Sequence, residues 1–246
     1  MKLIGLLGGM SPESTAIYYS ALNRLVQQRL GGQHSARVLL YSVDFDEIAV
    51  AQHAGDWDRT TEILVEAARS LERGGADFAL LGTNTMHKVF DEVQGAVAIP
   101  FLHVVDAAGE RIRAAGHRRV ALLGTRFTME QDFYRSRLDD RFGIEAMVPD
   151  APDREAIHRV IYEELCRGQI REDSRREYVR IIQRLGELGA EGVILGCTEI
   201  GMLIRPEDSP IPPSTRPAST PKRRWRGRSL RRRMSGTSPP PAARRS

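Results

Sequence analysis

The chain has 246 residues, enough to bury a large core as one domain or as two small ones. Its 41% hydrophobic and 28% charged content suits a soluble globular protein, and no apolar run approaches the roughly 20 residues of a membrane helix. The net charge of +4 is uneven: residues 212–246 hold eleven Lys or Arg and no acid, which leaves residues 1–211 with 25 basic and 32 acidic side chains, a net of −7.

Residues 3–7 are a continuous apolar run, which suits a strand covered on both faces. After Gly8-Gly9, Ser11 is a good N-cap and Pro12 suits the first helical position, so a helix is expected through Tyr18, Leu22 and Leu25. Residues 38–43 are a second strand, and Asp44 leads into a short helix and Gln52-His53-Ala54-Gly55. Residues 58–73 put Ile63, Leu64, Ala67 and Leu71 on one helical face. Strands at 78–81 and 99–102 and a helix at 106–115 follow. At Gly116 the pattern restarts. Strands are expected at 120–123, 144–148 and 193–195, with helices at 128–138, 153–166 and 174–188 and a short one after Cys197-Thr198-Glu199. This alternation predicts an α/β fold of parallel, doubly wound sheets.

The restart is a repeat. Gly75-Ala76-Asp77-Phe78-Ala79-Leu80-Leu81-Gly82-Thr83 returns 114 residues later as Gly189-Ala190-Glu191-Gly192-Val193-Ile194-Leu195-Gly196-Cys197. Ile4-Gly5-Leu6-Leu7-Gly8 returns 116 residues on as Val120-Ala121-Leu122-Leu123-Gly124. Two matches at nearly one spacing predict an internal duplication, with halves at 1–115 and 116–211 that are pseudo-symmetric and face one cleft. Thr83 and Cys197 become equivalent positions, each just past a buried strand. Ligands of such sheets lie beyond the carboxyl ends of the strands.

Two proton-transfer groups flanking one carbon suit a racemase that needs no cofactor. A thiol fits one side, because its ordinary pKa of about 8.5 is readily poised near neutrality. Cys197 sits at a strand-to-helix turn, where the helix dipole and free N–H groups are expected to favour thiolate. Asn84, Thr85 and Thr198 are short polar side chains suited to holding a substrate carboxylate. Cys166 falls in the apolar stripe of the 153–166 helix and is expected in the core. His87 is read as structural. Two cysteines give no disulfide framework and no metal-ligand spacing with the six histidines, and fit reduced thiols in the cytoplasm.

Three stretches resemble the aspartate/glutamate racemase family: Ile4-Gly5-Leu6-Leu7-Gly8-Gly9-Met10-Ser11, Gly82-Thr83-Asn84-Thr85-Met86-His87-Lys88 and Leu195-Gly196-Cys197-Thr198-Glu199. The resemblance runs from residue 1 to about 211. It implies two pseudo-symmetric α/β domains, no pyridoxal phosphate, no metal and usually a homodimer. It implies an acid/base pair at Thr83 and Cys197, similar to a Thr/Cys subgroup acting on L-aspartate and L-glutamate. It places Met10, Ser11, Gln52, Asn84, Thr85, Arg167, Thr198 and Glu199 around the substrate. A threonine hydroxyl is a far weaker acid than a thiol, so the pair is expected to be asymmetric. An alternative is a catalytically impaired homologue that binds dicarboxylates.

Seven of the thirteen prolines fall in residues 212–246, which lack helical or strand period and are expected to be disordered. With third bases free, reading from the third base of the Pro213 codon can give Phe-Asp-Thr-Thr-Arg-Ile-His-Ala-Glu-Ala-Ala-Val, the ending the resemblance implies. The tail is therefore expected to be a frameshift product. The rival is a basic arm that binds nucleic acid through its phosphates.

Overall fold

Apolar strands between amphipathic helices settle into two parallel sheets in the computed structural model, which describes residues 1–214. The expected disorder of the tail from residue 215 onward lies outside the described residues. In the first sheet β1 (Ile4–Gly8), β2 (Val38–Ser42), β3 (Phe78–Leu81) and β4 (Phe101–Leu102) lie in the order β2-β1-β3-β4. In the second, β5 (Arg119–Leu123), β6 (Glu145–Met147) and β7 (Gly192–Leu195) lie in the order β6-β5-β7. The two halves thus share one strand order, and their registers correspond: Leu7 pairs with Leu81 as Leu123 pairs with Leu195.

Residues 212–214, assigned by composition to the tail, complete this correspondence. Pro213 forms a parallel bridge to Val193, with Val193 N–H donating to Pro212 O at 3.0 Å and Ser214 N–H donating to Val193 O at 2.7 Å. They stand beside β7 as β4 stands beside β3. Pro213 itself has no N–H to give, but its neighbours' backbone groups are free to pair, which composition alone does not reveal.

Ten helices are described: α1 (Pro12–Leu30), α2 (Phe45–Ala54), α3 (Trp57–Arg73), α4 (Phe90–Gly95), α5 (Val104–Ala114), α6 (Arg126–Glu130), α7 (Asp132–Phe142), α8 (Ala151–Glu163), α9 (Glu172–Glu187) and α10 (Ile200–Leu203). Two of the helices and one strand differ from expectation. The expected helix at 128–138 is two, because Gln131 is extended and Asp132 starts a new first turn. The helix expected at 153–166 starts at Ala151, where Asp150 caps it by accepting from Asp153 N–H, and ends at Glu163 before a separate turn, Leu165–Arg167. The strand expected at 99–102 shrinks to two residues, because the N–H groups of Ala98 and Ile99 go to the Glu72 carboxylate instead of a ladder.

The first sheet packs Leu7, Ala79 and Leu81 against Leu64, Ala67, Ala68 and Leu71 of α3. Each face of the second sheet carries its own core. Ala121, Leu123, Val193 and Leu195 pack with α8, α9 and α10, while Val120, Leu122 and Ile194 pack with Val105, Ala108 and Ile112 of α5 and Tyr134 and Leu138 of α7. The boundary expected between the halves at 115/116 follows α5, yet the apolar face of α5 lies on the second sheet. Fully burying one such aliphatic side chain is worth roughly 1.5–3 kcal/mol, so these contacts bind α5 firmly there.

Candidate active site

The strand ends set the site. Gly82 N–H donates to Leu7 O at 2.8 Å, and its counterpart Gly196 N–H donates to Leu123 O at 2.6 Å. A Cβ on Gly82 or Gly196 would stand 3.1 or 2.8 Å from that same carbonyl, so glycine lets each loop turn tightly over its sheet. Thr83 and Cys197 follow these glycines and line one cavity. Met10, Gln52, Asn84, Thr85, Thr198 and Glu199 line it as well.

Glu199 organises the Cys197 side. It is 2% exposed and accepts two hydrogen bonds, from Ser11 Oγ to Oε1 at 2.6 Å and from Cys197 Sγ to Oε2 at 2.8 Å. Ser11 holds its place because it caps α1, its Oγ accepting from Ser14 N–H. A serine that the sequence marks as an N-cap is thereby also a tether between the two halves. Burial, then the Glu199 carboxylate and Cys166, push the Cys197 thiol well above its ordinary range. The expected thiolate is thus replaced by a thiol. The helix after it, α10, is one turn long, and its weak dipole is outweighed by burial and by a carboxylate in hydrogen-bond contact.

The Thr83 side is neutral. His87 Nδ1–H donates to Thr83 O at 2.8 Å, and its Nε2 accepts from Val104 N–H at 3.1 Å. Both ring nitrogens are therefore spent on backbone, and burial lowers the pKa to about 4. Thr85 Oγ1 meets Thr125 Oγ1 at 3.0 Å and Thr128 Oγ1 at 3.4 Å, a hydroxyl cluster joining the halves. The Asn84 side chain makes no capping hydrogen bond to the turn that it opens. Among the described residues the backbone N–H groups of Thr83, Asn84, Thr85, Cys197 and Thr198 have no backbone acceptor. Two sets of free donors thus stand at the two strand ends, suited to a carboxylate between them.

Ser11 reaches the cavity only through Glu199, and Arg167 is exposed in the turn after α8, outside the lining. Among the described residues, the cavity's own lining contains no Lys, Arg or His. Cys166, expected in the core, is half-buried. It packs against the core and lines the cavity too, because α8 ends before it and the following turn swings it to the edge. Burial and the carboxylates of Glu199 and Glu13 push its thiol far up.

Ser14, Phe45, Thr125, Ile161 and Tyr162 also line the cavity and went unnamed in the sequence. Thr125 was within reach: it lies just past Leu123-Gly124, the copy of Leu7-Gly8, so the duplication marks that loop as a cleft edge. Tyr162 has no such signal, since an aromatic beside Ile161 in an apolar stripe reads as packing.

The family model for Asp/Glu/hydantoin racemases matches residues 7–213. The chain is 24% identical over 222 residues to the broad specificity amino-acid racemase RacX of Bacillus subtilis strain 168, covering 85% of this chain and 91% of RacX. A crystal structure from Yersinia pestis assigned as an Asp/Glu racemase superposes with a TM-score of 0.81 at 49% identity, over 89% of this chain and 95% of that one. An aspartate racemase homologue from Pyrococcus horikoshii OT3 gives a TM-score of 0.73 at 38% identity, over 86% and 92%.

Proposed function

Since the chain belongs to the Asp/Glu/hydantoin racemase family and is an amino-acid racemase, we propose that it inverts the α-carbon of aspartate or glutamate by direct proton transfer, with Cys197 on one face and Thr83 on the other. The observation that carries this reading is the Cys197–Glu199 contact at 2.8 Å beside two sets of free backbone donors.

The substrate α-carboxylate sits among the donors of 83–85 and 197–198 with the Asn84 amide. They stabilise the enolate-like charge that grows as the α-proton leaves. Cys197 transfers its own proton to Glu199 Oε2 as its sulfur takes the α-proton, so the thiol is regenerated and Glu199 ends protonated. Ser11 fixes the carboxylate for this exchange. On the opposite face Thr83 supplies a proton, relayed from water because its hydroxyl is too weak an acid to act alone. Run backwards, Cys197 is the acid and the Thr83 side the base. The asymmetry favours abstraction by Cys197. No pyridoxal phosphate is required by this scheme. The side-chain carboxylate of the substrate meets neutral donors inside the cavity.

The test is α-proton exchange in D₂O, followed by NMR for both enantiomers of aspartate and glutamate. Deuterium incorporation with appearance of the opposite enantiomer is expected. No exchange with any of the four by folded protein sinks the proposal.

A further inference from the structure

One hydrogen bond in the lining of the cavity joins the two halves. Tyr162 of α8 donates its hydroxyl to Oε1 of Gln52 of α2 at 2.8 Å, across 110 residues of chain. Both residues line the cavity, and Gln52 is 3% exposed. With the carbonyl end taken, the other end of the Gln52 amide has only the sulfur of Met86, 3.8 Å away, and thioether sulfur is a weak acceptor. A buried NH₂ with so poor a partner is a donor held in readiness.

The Tyr162 ring is itself clamped. Phe45 stacks on it at 6.4 Å with 14° between planes, His53 meets it edge-on at 5.1 Å, and His158 lies tilted at 4.8 Å. Both histidines are fixed by backbone: His53 Nδ1 lies 2.6 Å from Ala49 O, and His158 Nδ1 accepts from Arg126 N–H at 3.2 Å. Burial keeps the phenol protonated, with the Cys166, Cys197 and Glu199 side raising it further, so it remains a donor.

We propose that Tyr162 is a positioning residue that holds the Gln52 amide with its NH₂ toward the side chain of the bound amino acid, and so sets a preference for substrates carrying a side-chain oxygen acceptor. The inference rests on the racemase reading above. The α-carboxylate is taken by the loop donors at Thr83 and Cys197, so the wall formed by Gln52, Tyr162, Phe45 and Ile161 is left to read the side chain. Removing the phenol hydroxyl lets the amide turn over, which loses the net contribution of one hydrogen bond, roughly three- to tenfold in binding.

The experiment compares wild type, Tyr162→Phe, Gln52→Leu and the double variant, with L-aspartate, L-glutamate and L-norvaline, the last lacking a side-chain acceptor. Tyr162→Phe keeps the ring packing, and circular dichroism and melting check the fold. Tyr162→Phe should raise KM for the two acidic amino acids roughly three- to tenfold, keep kcat within about twofold, and leave kcat/KM for norvaline unchanged. The double variant should be no worse than Gln52→Leu, since Tyr162 acts through Gln52. Equal loss on all three substrates, a fall in kcat alone, additive effects or no change in KM each overturns the proposal while leaving the racemase reading intact. If wild type exchanges no α-proton, the racemase reading fails instead. Calorimetric binding of L-aspartate then decides the role of Tyr162 on its own, a three- to tenfold loss supporting it and unchanged affinity overturning it.

Discussion

The proposed proton transfer from Cys197 to Glu199, across their 2.8 Å contact, makes the sharpest prediction at the residue scale. Cys197→Ser should lower α-proton exchange by about 10²–10⁴-fold in a folded protein, as measured by NMR in D₂O; retained exchange would remove the thiol from the mechanism. Glu199→Gln keeps the shape but removes the charge that helps hold the thiol up. The alkaline limb of the rate profile should move to lower pH as the thiol pKa falls, while kcat drops because the proton has lost its acceptor. A pH profile of kcat/KM identical to wild type would break the proposed pair. Thr83→Cys should supply a second thiol and bring the rates from L and D substrate closer together, read by following both enantiomers on a chiral column. An unchanged ratio would argue against Thr83 as the opposite group.

His87 links elements. Its ring joins the loop after β3 to the start of α5, stacks on Phe90 at 5.3 Å and meets His103 edge-on at 4.5 Å. In the unfolded chain a histidine titrates near 6.5; here the folded value is about 4. Between those values the unfolded state binds more protons, so stability rises with pH there. The stability tied to neutral His87 is complete above pH 6.5 and is lost as pH falls from 6.5 toward 4. His103 and His158 are also lowered and add to the same slope. His87→Gln should therefore cost roughly 1–3 kcal/mol at pH 7.5 through lost backbone hydrogen bonds. It should also reduce the acid sensitivity between pH 6.5 and 4, as measured by urea midpoints across that range. An identical pH slope in the variant would show that His87 is not the titrating group.

On the scale of the whole molecule, one sheet face is unevenly covered. The in-register row Leu40, Leu6, Leu80 and Leu102 crosses the first sheet, and its ends Leu40 and Leu102 are 44% and 50% exposed. α1, which is 19 residues long, buries only Ser14, Thr15 and Ala21 fully. The body's fourth strand positions are filled by Phe101–Leu102 in one half and by residues 212–214 in the other. A chain ended after Ser214 should thus keep its melting temperature and its exchange rate, and should lose any salt-dependent binding to DNA that the full chain shows. Loss of the fold on truncation would give the tail a role of its own. Substituting the shifted-frame ending should raise both melting temperature and exchange rate, and no gain in either would count against the frameshift account.

The sequence by itself determined the parallel α/β architecture, the duplication and the pair of equivalent positions. These follow from local facts: apolar runs of strand length, caps such as Ser11 and Asp44, and a repeat at 114 residues. It also marked Gln52, Asn84, Thr85, Thr198 and Glu199, all of which reach the cavity. The tertiary structure alone decided three things. Cys197 is a thiol because burial and a carboxylate outweigh a one-turn helix, a balance that depends on distances no spacing contains. Cys166 packs against the core but also lines the cavity, because α8 stops short of it. Tyr162 meets Gln52, and Ser11 meets Glu199, because the two halves close on each other. Contacts between residues 110 and 188 apart in the chain are set by that closure and leave no period in the sequence.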